Sequence, residues 1–432
     1  MEVKSGYKQT EVGVIPQDWK VSQLGPFCSV ITKGTTPTSI GMNFARSGIR
    51  FLKAESISET GHTIPDKVAF IDDVTHSLLK RSQLVSGDLV VSIAGVLGRV
   101  GLVNDADLPA NTNQALAIVR LGKHSGLDRM FLFYSLRSPV IERQIRDINV
   151  QAAQANISLQ NVSDFRLPHP PTEKEQRALE SALNDADELL SVLDRLIAKK
   201  RDLKQAAMQQ LLTGHTRLPG FKDGWQEAPL EELFDFSGGY SASRDQLTPS
   251  DGYCYLHYGD IHGRSQPFID ARLEFSRIPK LPIALRSVNP ASLLTDGDVV
   301  FVDASEDDDG TSKHVVIRNP SGVPFISGLH TIVAKPKTSK LCSEFLCYCF
   351  QSAHIKNQFR LLSVGTKVKG INKTTIKLIR LKFPSKEEQE KIGRVLVDMD
   401  VELDALTQRR EKTRTLKQGM MQQLLTGKVR LV

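Results

Sequence analysis

The string "LKQAAMQQLLTGHTRL" runs from Leu203 to Leu218, and "LKQGMMQQLLTGKVRL" runs from Leu416 to Leu431. Extended toward the N-terminus, the match continues without a gap. Residues 171–214, "PTEKEQRALESALNDADELLSVLDRLIAKKRDLKQAAMQQLLTG", align with residues 384–427, "PSKEEQEKIGRVLVDMDVELDALTQRREKTRTLKQGMMQQLLTG", at a constant offset of 213 residues. Half of the 432-residue chain is 216 residues, so a repeat of this period resets the reading of the whole fold. Further pairs lie upstream: Trp19 with Trp225, Phe51-Leu52 with Tyr255-Leu256, Gly87–Val90 with Gly297–Val300, and "FYSLRSPVIERQI" from Phe133 with "CYCFQSAHIKNQF" from Cys347. Their offsets drift where the helical stretches hold theirs. Each half reads as one variable domain followed by one segment of fixed length.

The fixed segments have the period of long helices. Apolar residues fall at Leu179, Leu183, Ala186, Leu190, Leu193 and Ile197, and again at Ile392, Leu396, Met399, Leu403 and Leu406, in alternating steps of four and three. That spacing predicts a coiled-coil seam. The seam turns polar at Lys200 and Arg410 and is expected to resume near Leu203 and Leu416, with a stutter between. Thr172 or Ser385 can cap the start and Gly214 or Gly427 the end, giving about 43 residues and a rod of roughly 60 Å. Charge orients the pair. Glu173, Glu175, Glu180, Asp185, Asp187, Glu188 and Asp194 load the first half of the first helix, whereas Arg195, Lys199, Lys200, Arg201 and Lys204 load its second half; the other copy has the same polarity. Parallel packing would set like against like, so the polarity predicts an antiparallel pair.

The remainder of each half mixes short β-rich runs, "DLVVSIAG", "ALAIVRL", "DVVFVDAS" and "HTIVAKP", with a helix expected over Arg129–Ile148 and its counterpart Leu341–Leu361. The fold class is thus α/β (α+β): two mixed α/β domains separated by a long antiparallel two-helix coiled coil, in a pseudo-two-fold internal repeat. The boundaries are 1–170 for the first domain, 171–217 for the central helical region, 218–383 for the second domain and 384–432 for the C-terminal helical region. The linker "HTRLPGFKDGW" has a divided counterpart, "KVRLV" at the end of the chain and "VGVIPQDW" near its start. The repeat closes into a ring, which predicts adjacent N- and C-termini.

Composition is ordinary for a globular protein, with 40% hydrophobic and 24% charged residues. A net charge of +7 and a pI near 9.0 lean toward a polyanionic partner. No secretory leader and no run of about 18 apolar residues is present, which predicts a cytoplasmic protein with no membrane partner. Five scattered cysteines, Cys28, Cys254, Cys342, Cys347 and Cys349, fit a reducing compartment. "CSEFLCYC" lacks the ligand spacing of a zinc site, and Cys347 falls opposite Phe133, so it reads as a small core residue.

Two variable domains, each followed by a helical segment opened by "PPTEKEQ" or "FPSKEEQE" and closed by "QQLLTG..RL", resemble the DNA specificity subunit of Type I restriction-modification systems; the opening "YKQTEVGVIPQDWKVSQLG" resembles the start of such proteins. The resemblance spans essentially the whole chain. It implies that the variable domains are target recognition domains for double-stranded DNA. It also implies that the helices bind methyltransferase (modification) subunits, two of them, with restriction/translocase subunits in the full complex. Two similar but non-identical readers held apart by a spacer would recognise a bipartite, asymmetric site. A coiled-coil protein-interaction module without sequence-specific DNA binding is the alternative from another class.

The residues offer no catalytic constellation. "VNPASL" and "RNPSGV" are the strings nearest to an adenine methyltransferase motif and neither fits; no GxxxxGK[ST] motor loop occurs. No cofactor and no metal is expected, since "DASEDDDG" from Asp303 lacks the alternation of a calcium loop. DNA contacts are therefore assigned by residue type and loop placement. "TKGTTPTS" from Thr32 and "SGGYSASR" from Ser237 combine glycine with hydroxyls and a base, giving Lys33, Thr35, Thr36, Ser241, Ser243 and Arg244. "GTKVKGINKTTIK" adds Lys367, Lys369 and Lys373, where the counterpart "QAAQANISLQN" is uncharged. Arg99 and Lys313 complete the set.

Overall fold

The computed structural model describes residues 4–149, 156–264, 266–305, 312–365 and 368–431. Two units divide it: Met1–Asp194 with Gln408–Val432, and Arg195–Thr407.

In the first unit, β1 (Cys28–Lys33), β2 (Ile49–Leu52), β3 (Ala69–Ile71), β4 (Leu89–Ser92), β5 (Val100–Leu102), β6 (Ala110–Thr112) and β7 (Leu116–Leu121) build two sheets, ordered β1-β7-β4-β5 and β3-β2-β6. Helices α1 (Arg129–Leu136) and α2 (Pro139–Asn149) follow, then the long α3 (Glu173–Leu211), whose residues from Arg195 on belong to the second unit. The second unit repeats the plan with β8 (Phe234–Gly238), β9 (Tyr253–Leu256), β10 (Phe268–Asp270), β11 (Lys280–Leu281), β12 (Val299–Val302), β13 (His314–Arg318), β14 (Phe325–Ser327) and β15 (Thr331–Pro336). Its sheets are ordered β8-β15-β12-β13-β10 and β11-β9-β14. Helices α4 (Ser343–Cys349) and α5 (Ala353–Leu362) precede the long α6 (Lys386–Leu424), whose residues from Gln408 on belong to the first unit. The central strands read as unbroken apolar runs because both of their faces are buried: Leu89–Ser92 and Val299–Val302 have no exposed position.

The repeated "GD" before the central strand is structural. Gly87 and Gly297 take left-handed φ of 86° and 84°. The following Asp88 and Asp298 accept from the backbone N–H of Val85 and Thr295, and each meets a cation of the neighbouring strand, Arg120 or Lys335, at 2.7 Å. The single helix expected over Arg129–Ile148 is two helices. Pro139 cannot continue α1 because it lacks the N–H, so it opens α2. In the second copy Ser352 caps Ile355 and starts α5 afresh. Cys347 is fully buried in the second core, where burial pushes its thiol up to about 12.

Each long helix has 39 residues, shorter than the expected 43 because the chain turns before Gly214 and Gly427, at φ of 73° and 68°. Leu179, Leu183, Leu190, Leu193, Ile197, Ile392 and Leu396 are buried, and Met399, Leu403 and Leu406 half-buried. The apolar stripe does not resume at Leu203 and Leu416, which are 46% and 62% exposed. The next residue in each helix takes the inward position instead. Lys204 Nζ meets Asp400 at 2.5 Å in the second unit, and Lys417 Nζ meets Asp187 at 2.5 Å in the first. A residue one step along a helix is rotated about 100°, so turning a lysine in turns its leucine out. At the expected polar positions, Lys200 pairs with Glu402 at 2.7 Å and Arg410 with Asp194 at 3.3 Å.

Both carboxylates of the buried pairs also bind the mixed domain of their unit. Tyr134 of α1 donates to Asp187 (3.0 Å), and Tyr348 of α4 donates to Asp400 (2.7 Å). Burial, together with the adjacent carboxylate, pushes both phenols well above their ordinary range. A second repeated fastening uses the "EQ" that opens each helix. Gln176 accepts from the backbone N–H of Asp128 and Gln389 from that of Cys342, so each holds the start of a domain helix. Glu175 receives a two-pronged contact from Arg430 (2.8 and 2.7 Å), and Glu388 one from Arg217 (2.8 and 2.6 Å). Arg430 also meets Asp18 (3.0 Å), and the Tyr7 hydroxyl donates to the Gly427 carbonyl (3.3 Å), so residues near the two ends of the chain meet inside the first unit.

Three buried histidines have pKa values lowered by burial: His314, His169 and His257. A depressed folded pKa means that the unfolded chain takes up the proton first. Stability is therefore expected to be complete above the ordinary histidine value of about 6.5 and to fall as pH drops below it. His314, held between the Ser312 and Leu346 carbonyls, is the most deeply buried. A urea-unfolding series from pH 8 to 5 should lose part of its slope in His314→Gln; an unchanged slope would remove His314 from the account.

Candidate nucleic-acid interface

Strand register gathers the candidate loops at one end of each unit. Lys33 at the end of β1 pairs with Ala117, Ser92 at the end of β4 with Leu116, and Leu52 at the end of β2 with Thr112. The loops after residues 33, 52, 92 and 112 therefore leave the sheets together. In the second unit Gly238 pairs with Ile332, Val302 with Thr331 and Leu256 with Ser327, which sends the loops after 238, 256, 302 and 327 out at the equivalent end.

Every described candidate lies on this end. Lys33 is exposed; Thr35 and Thr36 are half-buried, the first 3.4 Å from the Arg81 guanidinium and the second donating to Gln114. Ser241, Ser243 and Arg244 are exposed, with Arg244 at 3.7 Å from Asp260. Lys369 is half-buried in a short strand whose Lys369–Gly370 pairs with Ala304–Ser305. Lys373 is exposed at the start of the turn Lys373–Ile376, and Lys367 falls outside the described residues, as does most of "SEDDDG".

Arg99 and Lys313 prove equivalent, each directly preceding the strand that flanks the central one. Both are tied inward. Arg99 donates to the carbonyls of Ala54 and Ile57 (3.2 and 2.9 Å), and Lys313 reaches the carbonyl of His262 (3.4 Å). Their cations brace the loop after β2 or β9 while keeping positive charge at the rim. The glycines also have a use inside the fold. A Cβ at Gly34 would fall 1.8 Å from the Thr112 carbonyl oxygen, and one at Gly239 would fall 1.8 Å from that of Gly328. They permit close approach to the neighbouring protein loop. Gly239→Ala should force that loop apart and cost roughly 1–3 kcal/mol. Thermal unfolding of the full chain checks this; an unchanged Tm would show that the loop yields freely.

Sequence reasoning missed an aromatic cluster in the second unit. Tyr258 stacks at 4.4 Å on His257 and stands edge-on to His330 and His262, at 5.4 and 6.2 Å. The pairing of Phe51-Leu52 with Tyr255-Leu256 runs straight into it two residues later, so the position was legible. That His330 would join from another loop was not.

Among the described residues, no three metal-ligating side chains gather and no helix is long and apolar enough to cross a membrane. Comparison with known proteins agrees with the repeat. The family model for the Type I restriction modification DNA specificity domain matches twice, over residues 16–203 and 222–414. The type I restriction enzyme MjaVIII specificity subunit of Methanocaldococcus jannaschii is 23% identical over 435 residues, covering 96% of this chain and 94% of that protein. The fold is similar to the type I restriction-modification S subunit of M. genitalium, with a TM-score of 0.54 at 15% identity over 98% of both chains. It is also similar to a chain solved in work on complex assembly and conformational transition of the type I R-M system, with a TM-score of 0.59 at 17% identity over 96% of this chain and 99% of that one. The chain belongs to the Type I restriction modification DNA specificity family and is a specificity subunit, the non-catalytic class of component in such systems.

Proposed function

We propose that this subunit reads a bipartite, asymmetric site in double-stranded DNA, one half-site per domain, with the recognition domains at 1–170 and 218–383. The observation that carries the reading is the pair of loop ends. The two units share strand order and register there but differ in side chains, as two readers of different half-sites would need to. Lys33, Thr35, Thr36, Ser241, Ser243, Arg244, Lys367, Lys369 and Lys373 are proposed contacts to the backbone and groove, with Arg99 and Lys313 contributing charge from braced positions. The helical regions, 171–217 and 384–432, form an antiparallel coiled coil that separates the readers. The ion pairs of Asp187, Asp194, Asp400 and Glu402 with cations of the other helix support it.

The same helices are the proposed docking surface for two methyltransferase subunits, with restriction/translocase subunits joining the full complex. Val192, Leu203, Val401 and Leu416 are 46–63% exposed on them, apolar surface suited to a protein partner. Methylation and cleavage are then the partners' chemistry. Sequencing methylated bases in a host with and without this chain tests the reading. A methylated bipartite motif that appears only with the chain supports it. A chain that assembles with partners but never changes the methylated sequence would favour a protein-interaction module instead.

A further inference from the structure

The two units share a backbone frame, so side chains can be compared position by position. Register sets Leu256 against Ser327 and Leu52 against Thr112, which makes His257 the counterpart of Lys53, Tyr258 of Ala54 and His262 of Ser58. By β15 and β7, which pair alike with the central strands, His330 is the counterpart of Ala115. Four positions around one loop end are therefore aromatic or imidazole in the second unit and a lysine and three small residues in the first.

In the second unit Tyr258, His262 and His330 border an open cleft of about 680 Å³, which Ala304, Lys313 and Val368 also line. Two features set it apart from an ordinary loop surface. His330 is the one non-glycine residue with positive φ among the described residues, at 57°. Such a backbone is uncommon for any residue with a side chain, and where it persists the surroundings hold it. Beside it, Asp303 Oδ1 is buried without a hydrogen-bond partner and lies 3.3 Å from His330 Nδ1. A held imidazole, an aromatic face and a cation line one open space, with the buried Asp303 oxygen behind the imidazole.

We propose that Tyr258, His262 and His330 are the base-reading residues of the second domain, meeting base edges in the major groove of its half-site, with Asp303 positioning His330. This rests on the reading of the chain as a DNA specificity subunit. Imidazole nitrogens can each donate or accept and the phenol does both, which suits them to base edges, while Asp303, 3.3 Å from His330 Nδ1, orients that ring. Lys313, already tied to the His262 carbonyl, keeps positive charge beside the phosphates. The first domain presents Lys53 and Arg99 at the equivalent places and reads with different chemistry, so the half-sites differ.

The full chain assembled with its methyltransferase subunits, acting on duplexes randomised at every position, tests this through the bases around methylated adenines. Wild type should show two defined half-sites. Tyr258→Ala, His262→Ala, Asp303→Asn and His330→Gly, the last keeping the backbone free to hold its conformation, should each lower discrimination roughly 10- to 100-fold at one or two positions of a single half-site. The other half-site, untouched, reports in the same molecule that assembly and folding are intact. His330→Asn, which tolerates the same backbone, repeats the test should the glycine variant unfold. Full discrimination in all variants overturns the proposal. A loss of methylation that is uniform across sequences also overturns it, since that marks phosphate contact. A wild-type complex with no sequence preference would instead sink the specificity reading itself, before any variant is made.

Discussion

Asp187→Ala is expected to destabilise the first unit by roughly 3–5 kcal/mol, the range for breaking a buried charge pair from one side. Lys417 and Asp187 have side chains only 10% and 14% exposed, and the same carboxylate accepts from Tyr134. Its removal leaves a buried ammonium and a buried phenol without an acceptor. Lys417 already carries the strain of this position: burial lowers its pKa although Asp187 opposes the shift. Asp400→Ala should do the same to the second unit through Lys204 and Tyr348. The apolar double variant Asp187→Leu with Lys417→Met should recover much of the loss, because it strands no charge. Urea unfolding of the full chain measures all three. A loss below about 1 kcal/mol for Asp187→Ala would mean that the pair behaves as a solvated surface bridge.

The second large effect is on spacing. If the two helices set the gap between readers, lengthening both should lengthen the unread spacer and leave each half-site unchanged. Facing positions matter here more than repeat-equivalent ones. Asp194 meets Arg410 and Lys200 meets Glu402, so four residues inserted after Asp194 and four after Thr407 fall nearly opposite each other. Each insertion adds about 6 Å and turns the helix by only about 40° from a whole turn. At about 3.4 Å per base pair, the preferred spacer should grow by one or two base pairs in methylation of variable-spacer libraries. An insertion in one helix alone should shift Lys204 or Lys417 out of reach of its carboxylate and weaken assembly. A spacer that stays fixed in the double insertion would rule the helices out as the ruler.

The sequence carried the large plan because the repeat is written in residue identity: the aligned segments, the apolar period and the acid-to-base polarity all sit in one linear pattern. It misled at Leu203 and Leu416, where periodicity counts leucines but cannot weigh a buried ion pair one residue on. Helix propensity ran through Ser138–Pro139 and Ser352, where one proline or one cap is enough to divide the helix. The candidate loops were found as glycine, hydroxyl and base clusters, and register then gathered them. Yet the roles of Gly34, Gly239, Arg99 and Lys313 depend on carbonyls far away in sequence. The His330 side of the cleft is likewise a product of tertiary contact, since no local pattern marks a histidine for a left-handed backbone.

The two arginine fastenings also bear on ancestry. Glu175 is held by Arg430 and Glu388 by Arg217, so neither repeat supplies both members of its own contact. The same holds for Asp187 with Lys417 and Asp400 with Lys204. A chain of one repeat would carry all four residue types and could satisfy them only with a second copy, each giving its arginine and lysine to the other. That is the reciprocity of a closed two-fold dimer. Two identical readers so joined would see a palindrome, whereas under the proposed bipartite reading a fused, diverged chain lets the two halves of the site differ.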